Sequence, residues 1–510
     1  MNALIQFLAR KQTALLLAGA ILSPLRWIAA AEAATVSVNT SQPGTQIRRD
    51  ALGLSYETSL MLPDAHGVHY FRPDNKPLIA LFKTIGVKSL RIGGNSVDAP
   101  NVAVPSEADV TAFFEFAKAA GVKVIFSVRL EEPKSPDATN ASLIASPGSL
   151  ANAQSAARFA KFIHDHYSGV LDCFAIGNEP GYFKDYALYS SKWKAIHDAI
   201  VAVYPDAKFC GPDQNPSPEL DAKMAHDFAG AGLIKITQHS YPFGCAYKNP
   251  QAKTNIANLT PFNAAESREK MLSPKAYETY EKIYRGIAGA ITNTPLAFRL
   301  TEVNSYWFSG LQGASDSYAS ALWAVDYLHW WTGRGADGLN FHNGDRTGGD
   351  ISLPCRYAAF VTSANGYEAR PLAYGMKLFG LGGHGKQLAV TDSDSNNLVA
   401  YATLDSKTIF VTLINKSHGA AAANSEIQIK LDTPVDDANA QAIFLEAKNH
   451  DIGSGSNGVT LGGAPIKEDG TWDGRWNPLK ATSNKLITIS MPPASATVVR
   501  VNLQSRVFNR

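Results

Sequence analysis

Hydrophobic and polar positions alternate in two rhythms along this chain. From about residue 50 to about 380, short apolar runs are each followed by a stretch with apolar residues three and four apart. The first pattern is that of a buried strand and the second that of one helix face. The strand-like runs are 51–57, 89–95, 122–130, 171–179, 207–213, 234–241, 297–305 and 336–343. Helical spacing falls at 78–82, after residue 106, at 157–167, 193–203, 220–228, 267–291 and 318–332, with a last helix at 368–379. Ser106 and Asp109 have the S-x-x-D spacing of a capping box, and Gly121 closes that helix. Eight strands alternating with helices predict a (β/α)8 barrel, an α/β fold. A doubly wound open sheet is the competitor, but no G-x-G-x-x-G follows the first strand to support dinucleotide binding.

Beyond Gly380-Leu381-Gly382-Gly383 the helical period disappears. Short alternating runs at 398–404, 408–414, 425–431, 440–445, 485–491 and 496–501, separated by Gly, Asn and Asp, predict a β-sandwich. Residues 35–39, TVSVN, alternate in the same way ahead of the barrel, so this strand is expected to complete the sandwich. The expected organisation is a leader at 1–33, an N-terminal strand segment at 34–49, a barrel at 50–380 and a sandwich at 384–510.

Composition adds little to this picture, and the amino terminus adds more. The 510 residues are 45% hydrophobic and 18% charged, as in an ordinary soluble globular chain. Arg10 and Lys11, the apolar stretch 13–22 and Ala31-Glu32-Ala33 have the form of a secretory signal peptide cut after Ala33. Pro24 and Arg26 interrupt the apolar stretch and argue against a membrane anchor. The protein is therefore expected outside the cytoplasm, secreted or periplasmic, with no stable membrane insertion after cleavage. The formal charge of +2 is accounted for by Arg10, Lys11 and Arg26 against Glu32. A near-neutral mature chain gives no electrostatic case for nucleic acid as a partner. Export permits disulfides among Cys173, Cys210, Cys245 and Cys355. Cys173 and Cys210 lie in apolar runs, so Cys245 with Cys355 is the expected bridge. No CxxC or His/Cys cluster points to a metal, and no cofactor is expected. Asn140, Asn258 and Asn415 each open an N-x-S/T sequon.

The candidate chemistry lies at strand ends. The run LDCFAIGNEP, 171–180, stops at Asn178-Glu179-Pro180, and AFRLTEVNS, 297–305, carries Glu302 near its end. In a barrel the carboxyl ends of the strands face one mouth. Two carboxylates there meet the requirement of a glycosidase that retains configuration, which needs a nucleophile and an acid ~5–5.5 Å apart. Glu57 at the end of strand one and Asn95 at the end of strand two face the same mouth, where they are suited to distal sugar hydroxyls. Trp307, Trp330 and Trp331 are aromatic candidates for sugar platforms; Trp330 and Trp331 fall on a helix and fit a core better.

Asn178-Glu179-Pro180 and Thr301-Glu302 resemble the strand-four and strand-seven motifs of the clan A glycoside hydrolases. With Leu90-Arg91-Ile92-Gly93-Gly94-Asn95 and the segment VTLGGAPIKEDGTWDGRW, 459–476, the chain from about residue 35 onward resembles glycoside hydrolase family 79, which holds β-glucuronidases and heparanases. The resemblance implies Glu179 as general acid/base and Glu302 as nucleophile. It implies that Asn178 donates to the sugar 2-hydroxyl, and that Arg91 and Tyr241 hold Glu302 ionised and aimed. His239, in His239-Ser240-Tyr241-Pro242, is a further site candidate. Donors for a uronic acid carboxylate are sought in Tyr306 and in the loop His342-Asn343-Gly344-Asp345-Arg346, where glycine exposes backbone N–H groups.

The expected function is a retaining, exo-acting β-glucuronidase whose substrate is a glucuronide or a glucuronic-acid-containing glycan. A heparanase-like endo-β-glucuronidase is the near alternative; the lack of basic stretches for a sulfated polymer weighs against it. Another clan A activity on xylosides, glucosides or arabinofuranosides is the next. A glycan-binding protein with an inactive site is the non-enzymatic reading, and the presence of both glutamates speaks against that. The sequence leaves the oligomeric state open.

Overall fold

A computed structural model describes residues 33–130, 147–180, 185–252, 256–345, 353–393, 397–436 and 440–504. Residues 1–32 of the expected leader, Asn140 and Arg346 lie outside the described residues. Eight parallel strands close into a barrel: β1 (Leu52–Glu57), β2 (Ser89–Gly93), β3 (Lys123–Val128), β4 (Leu171–Ile176), β5 (Phe209–Gln214), β6 (Leu233–Ser240), β7 (Ala297–Val303) and β8 (Leu339–His342). β8 pairs with both β7 and β1 and completes the circle. Strands buried on both faces read as near-continuous apolar runs, which is why this part of the fold was visible in the sequence.

The helices between strands begin and end on local chemistry. Asn75 caps helix Lys76–Ile85 by accepting from the Leu78 N–H, and Gly86, at φ +94°, ends it in the left-handed region that glycine enters without steric cost. Helix Glu107–Ala120 starts on the reciprocal Ser106–Asp109 capping box. Two boundaries differ from expectation. The helix expected over 267–291 is two, Ala264–Leu272 and Ala276–Ile291, divided at Ser273-Pro274 because proline has no N–H for the ladder. The last helix starts at Pro371 rather than 368, since Gly366–Ala369 pairs with Phe360–Ser363 as a hairpin.

The remaining strands form a twelve-stranded sheet with its own core of Val36, Val38, Ile409, Val411, Ile427, Ile489 and Val499. The N-terminal strand Ala34–Asn39 joins it, antiparallel to Gly385–Asp392 and parallel to Ser425–Leu431. The fold is thus a (β/α)8 barrel with an accessory β-sandwich completed by an N-terminal strand. Strand Gly385–Asp392 escaped the sequence reading, because the run GKQLAVTD mixes charge into its alternation.

The sandwich packs on helices Tyr318–Gly333 and Pro371–Gly382. Tyr318–Gly333 is buried along its whole length, and Trp330 and Trp331 belong to the core. Asp326 on this helix accepts from Lys416 Nζ at 2.6 Å, Tyr401 Oη at 2.6 Å and Tyr277 Oη at 2.7 Å, joining barrel helices to sandwich strands. Segment 459–476 acts as a clamp. Its Ile466 N–H donates to Tyr374 Oη at 3.0 Å, Tyr367 N–H donates to the Glu468 carbonyl at 2.9 Å, and Lys377 Nζ sits 3.9 Å from the Trp472 ring centroid. The bridge expected between Cys245 and Cys355 is not made, and all four cysteines are free thiols. Cys245 Sγ instead accepts from the Tyr247 N–H, and Cys355 is buried against Tyr357 and Ala358. Asn415 is buried and donates to the Pro492 carbonyl, so its sequon offers no exposed amide. No described helix is long and apolar enough to cross a membrane.

Removing one member of a buried ion pair leaves the other charge without compensation, at a cost of about 3–5 kcal/mol. Lys416→Met should lower unfolding free energy by about that amount in denaturant titrations. A change under about 0.5 kcal/mol, the scale of an ordinary surface substitution, would show the Asp326 cluster to be unimportant.

Candidate active site

Both catalytic candidates stand at the mouth, and the backbone there is unusual. After β4 ends at Ile176, Gly177 takes φ +81°, where an added Cβ would lie 2.8 Å from Leu130. Two residues on, Glu179 itself adopts φ +47°, the left-handed region that costs a non-glycine residue roughly 1–3 kcal/mol. The turn lifts the Glu179 carboxylate towards solvent, and its side chain is 31% exposed. Glu302 on β7 is 6% exposed. One oxygen of each carboxylate and a ring nitrogen of His239 lie within 4.8 Å of one another.

Arg91 on β2 organises the pair from beneath. With no exposed surface, its Nη1 donates to Glu302 Oε2 at 2.7 Å and to Ser55 Oγ at 3.0 Å. Its Nη2 donates to Asn178 Oδ1 at 2.7 Å, and Nε and Nη2 both reach Asp213 Oδ2, at 3.0 and 2.6 Å. Tyr241 Oη donates to the other Glu302 oxygen at 2.9 Å. Burial alone would push the Glu302 carboxyl up. The proximity of His342, His239 and Arg91, with the Tyr241 hydrogen bond, outweighs it and brings the carboxyl down to about 2. Burial and the Glu302 charge together keep the Tyr241 phenol protonated, well above its ordinary range.

His239 Nδ1 lies 3.0 Å from Glu179 Oε1, and its Nε2 faces Asp213 Oδ1 at 3.7 Å. Burial pulls the imidazole down, but the Glu302 charge and the Asp213 and Glu179 contacts push it up to about 9. Glu179, His239 and Glu302 are the side-chain types of a metal site. In this arrangement the ligand atoms are already engaged, His239 Nδ1 with Glu179 Oε1 and the two Glu302 oxygens with Arg91 and Tyr241.

Other expected site residues divide into those at the mouth and those behind it. Asn178 Nδ2 donates to Asn95 Oδ1 at 3.0 Å, and Asn95 is exposed. Glu57 ends β1 with its Oε2 accepting the Ser96 N–H at 2.8 Å and its Oε1 3.7 Å from His342 Nε2. Gly94 makes this possible, because at φ +68° its Cβ would fall 2.5 Å from the Glu57 carboxylate. Arg91 has no exposed surface and holds Glu302, as expected, and His239, also without exposed surface, lies behind Glu179 rather than in reach of a sugar.

Tyr306 does not face the mouth. It packs on Phe243 and donates to the Ser267 carbonyl at 3.3 Å. Asn343 is likewise spent, donating to Tyr56 Oη at 2.8 Å and accepting the Ala359 N–H at 2.7 Å. Gly344 is buried at φ +136°.

Two site residues, Asp213 and Tyr357, were not picked out from the sequence, and His342, expected in a loop that binds a sugar carboxylate, faces Glu302 and Glu57 instead. Asp213 is the penultimate residue of β5, FCGPDQ; a carboxylate near a strand end was the available signal. His342 lies 3.5 Å from Glu302 Oε1 through Nδ1, and Tyr357 Oη lies 3.1 Å from the same nitrogen. Tyr357 comes from beyond β8, where no periodicity points to it.

No protein-family model matches the sequence, nor does any curated protein sequence. Solved structures do match in fold. A 4-O-α-L-rhamnosyl-β-D-glucuronidase from Fusarium oxysporum 12S is 18% identical with a TM-score of 0.64, over 91% of this chain and 99% of that one. A GH51 arabinofuranosidase from Xanthomonas axonopodis pv. citri is 12% identical with a TM-score of 0.63, over 92% of this chain and 100% of that one. A monomeric β-xylosidase from Caulobacter crescentus CB15 is 12% identical with a TM-score of 0.61, over the same shares. At these identities the likeness establishes the shared fold.

The depressed Glu302 carboxyl makes a stability prediction. Its contribution is present above the unfolded-state value of ~4.3 and is lost as pH falls towards about 2. The stability difference between wild type and Glu302→Gln should therefore shrink across that window in denaturant titrations. A difference independent of pH would contradict the assignment.

Proposed function

We propose that this protein is a retaining exo-glycosidase, with Glu302 as nucleophile and Glu179 as general acid/base. The observation that carries the reading is the pair itself. Glu302 is buried, held ionised and fixed at both oxygens, whereas Glu179 is partly exposed on a raised turn, with oxygens of the two within 4.8 Å. That approach suits retention, since inversion leaves room for a water between carboxyl groups ~6.5–9.5 Å apart.

In the first step a Glu302 oxygen attacks the anomeric carbon. The glycosidic bond breaks, and Glu179 gives its proton to the departing oxygen. An ester to Glu302 results. In the second step Glu179 takes a proton from water, whose oxygen attacks the same carbon and releases the Glu302 carboxylate. Asn178 spends one amide N–H on Asn95 and keeps a second for the sugar 2-hydroxyl. Glu57 and Asn95 accept from more distant hydroxyls.

The finer reading is a β-D-glucuronide substrate. Support comes from the family 79 resemblance and from the fold shared with a rhamnosyl-glucuronidase. A second reading, an uncharged pentoside, is favoured by the carboxylate of Glu57 at the mouth. Arg91, the guanidinium bonded to Glu302, has no surface left for a uronate. Export through the leader would place either activity among extracellular glycans.

Matched p-nitrophenyl β-D-glucuronide, β-D-xyloside, β-D-glucoside and α-L-arabinofuranoside decide between these readings. The expected result is turnover of the glucuronide, with preference for the xyloside or arabinofuranoside assigning the pentoside reading. Glu302→Gln should abolish turnover, and Glu179→Gln should lower it about 10²–10⁴-fold, the usual worth of a general acid. Wild-type rates in Glu302→Gln would overturn the mechanism.

A further inference from the structure

The mechanism above uses two carboxylates from strands on different parts of the barrel, and a third carboxylate touches the support of both. Asp213 on β5 has no exposed surface and adopts φ +59°, a second left-handed non-glycine residue beside the site. Its Oδ2 accepts from Arg91 Nε and Nη2, and Arg91 passes on to Glu302 Oε2 at 2.7 Å and Asn178 Oδ1 at 2.7 Å. Its Oδ1 accepts from Thr301 Oγ1, the neighbour of Glu302 on β7. Its backbone carbonyl accepts the Glu179 N–H at 2.8 Å, pinning the strained turn that raises Glu179. Its own N–H donates to Thr237 Oγ1 on β6 at 3.1 Å.

A fourth route runs through His239. The buried Nε2 of His239 has no hydrogen-bond partner and faces Asp213 Oδ1 at 3.7 Å, an ion-pair rather than a hydrogen-bond separation. The opposite ring nitrogen holds Glu179 at 3.0 Å. Arg91, Thr301, His239 and the Glu179 N–H therefore all meet at Asp213, while Tyr241 and His342 reach Glu302 independently of it.

We propose that Asp213 is a positioning residue that locks the acid/base turn and the nucleophile into one unit. It does so through Arg91 and Thr301 towards Glu302, and through its carbonyl and His239 towards Glu179. The proposal deepens the two-carboxylate reading and rests on it. Asp213 touches no reacting atom, so its loss should misplace and unbalance the pair without emptying the sugar pocket. Burial works against charge on Asp213, but Arg91, His239 and Thr301 overcome it and hold the carboxyl well below the ordinary carboxylate range. The charged or titratable groups around His239 are Asp213 on β5, Glu179 after β4, Glu302 on β7 and Arg91 on β2.

The test is Asp213→Asn in the full chain, read by steady-state kinetics on the best p-nitrophenyl glycoside and by NMR titration of the His239 ring, with His239→Gln assigning the signal. We expect kcat to fall about 10²-fold, the usual cost of misplacing reacting groups by an ångström, with KM within about threefold. The His239 midpoint, about 9 in the wild type, should drop by a unit or more towards the ordinary value of ~6.5. Where turnover is measurable, either change without the other overturns the proposal, as do wild-type values for both. Should Asp213→Asn not fold, the wild-type titration still decides, since a His239 midpoint near ~6.5 contradicts the charge pairing. Full turnover in Glu302→Gln would sink the two-carboxylate reading alone, and the histidine titration would still judge Asp213.

Discussion

A guanidinium with no access to water sits at the base of this barrel's mouth, bonded to two buried carboxylates. Taking one such ion out of water costs several kcal/mol even after relaxation, and only tight geometry with further hydrogen bonds offsets it. Arg91 meets that demand with contacts of 2.6–3.0 Å to Asp213, Glu302, Asn178 and Ser55. Opposite signs alternate here: Arg91 lies between Asp213 and Glu302, and His239 lies between Asp213 and Glu179. The arrangement holds only while β2, β4, β5, β6 and β7 keep their places. Closure of the barrel and the placement of the two catalytic candidates are thus one constraint.

The rest of the molecule keeps that constraint rigid. The outer helices carry the apolar core, and the sandwich with its 459–476 clamp grips the two helices after β7 and β8. Against this frame two non-glycine residues, Glu179 and Asp213, are kept in left-handed conformations. The strain falls at the site and the packing that offsets it lies elsewhere, as is usual where geometry serves chemistry.

Much of this was legible in the sequence, and the reasons are specific. Parallel barrel strands are buried on both sides, so β1 to β8 appear as apolar runs whatever their neighbours, and strand-end carboxylates point to one mouth. The positions of Glu57, Asn178, Glu179 and Glu302 followed from that alone. Side-chain direction beyond a strand end did not follow. Tyr306 lies three residues past Val303, where the period of two no longer holds, and it turned towards Ser267. Asn343 looked available for a ligand, but Tyr56 and Ala359 had already engaged its amide. His239 was placed at the site without its depth, because depth along a barrel axis leaves no mark in a linear pattern; it has no exposed surface and lies behind Glu179. The helix break at Pro274 had a visible cause that the longer periodicity masked.

The central claim is that Glu302 becomes covalently bonded to the sugar. A 2-deoxy-2-fluoro glycoside of the preferred sugar with a good leaving group slows the second step and traps that ester. Peptide mass spectrometry of the inactivated protein should find one sugar, on the peptide containing Glu302. A label on Glu179, or inactivation-free turnover giving a product of inverted configuration, would contradict the account.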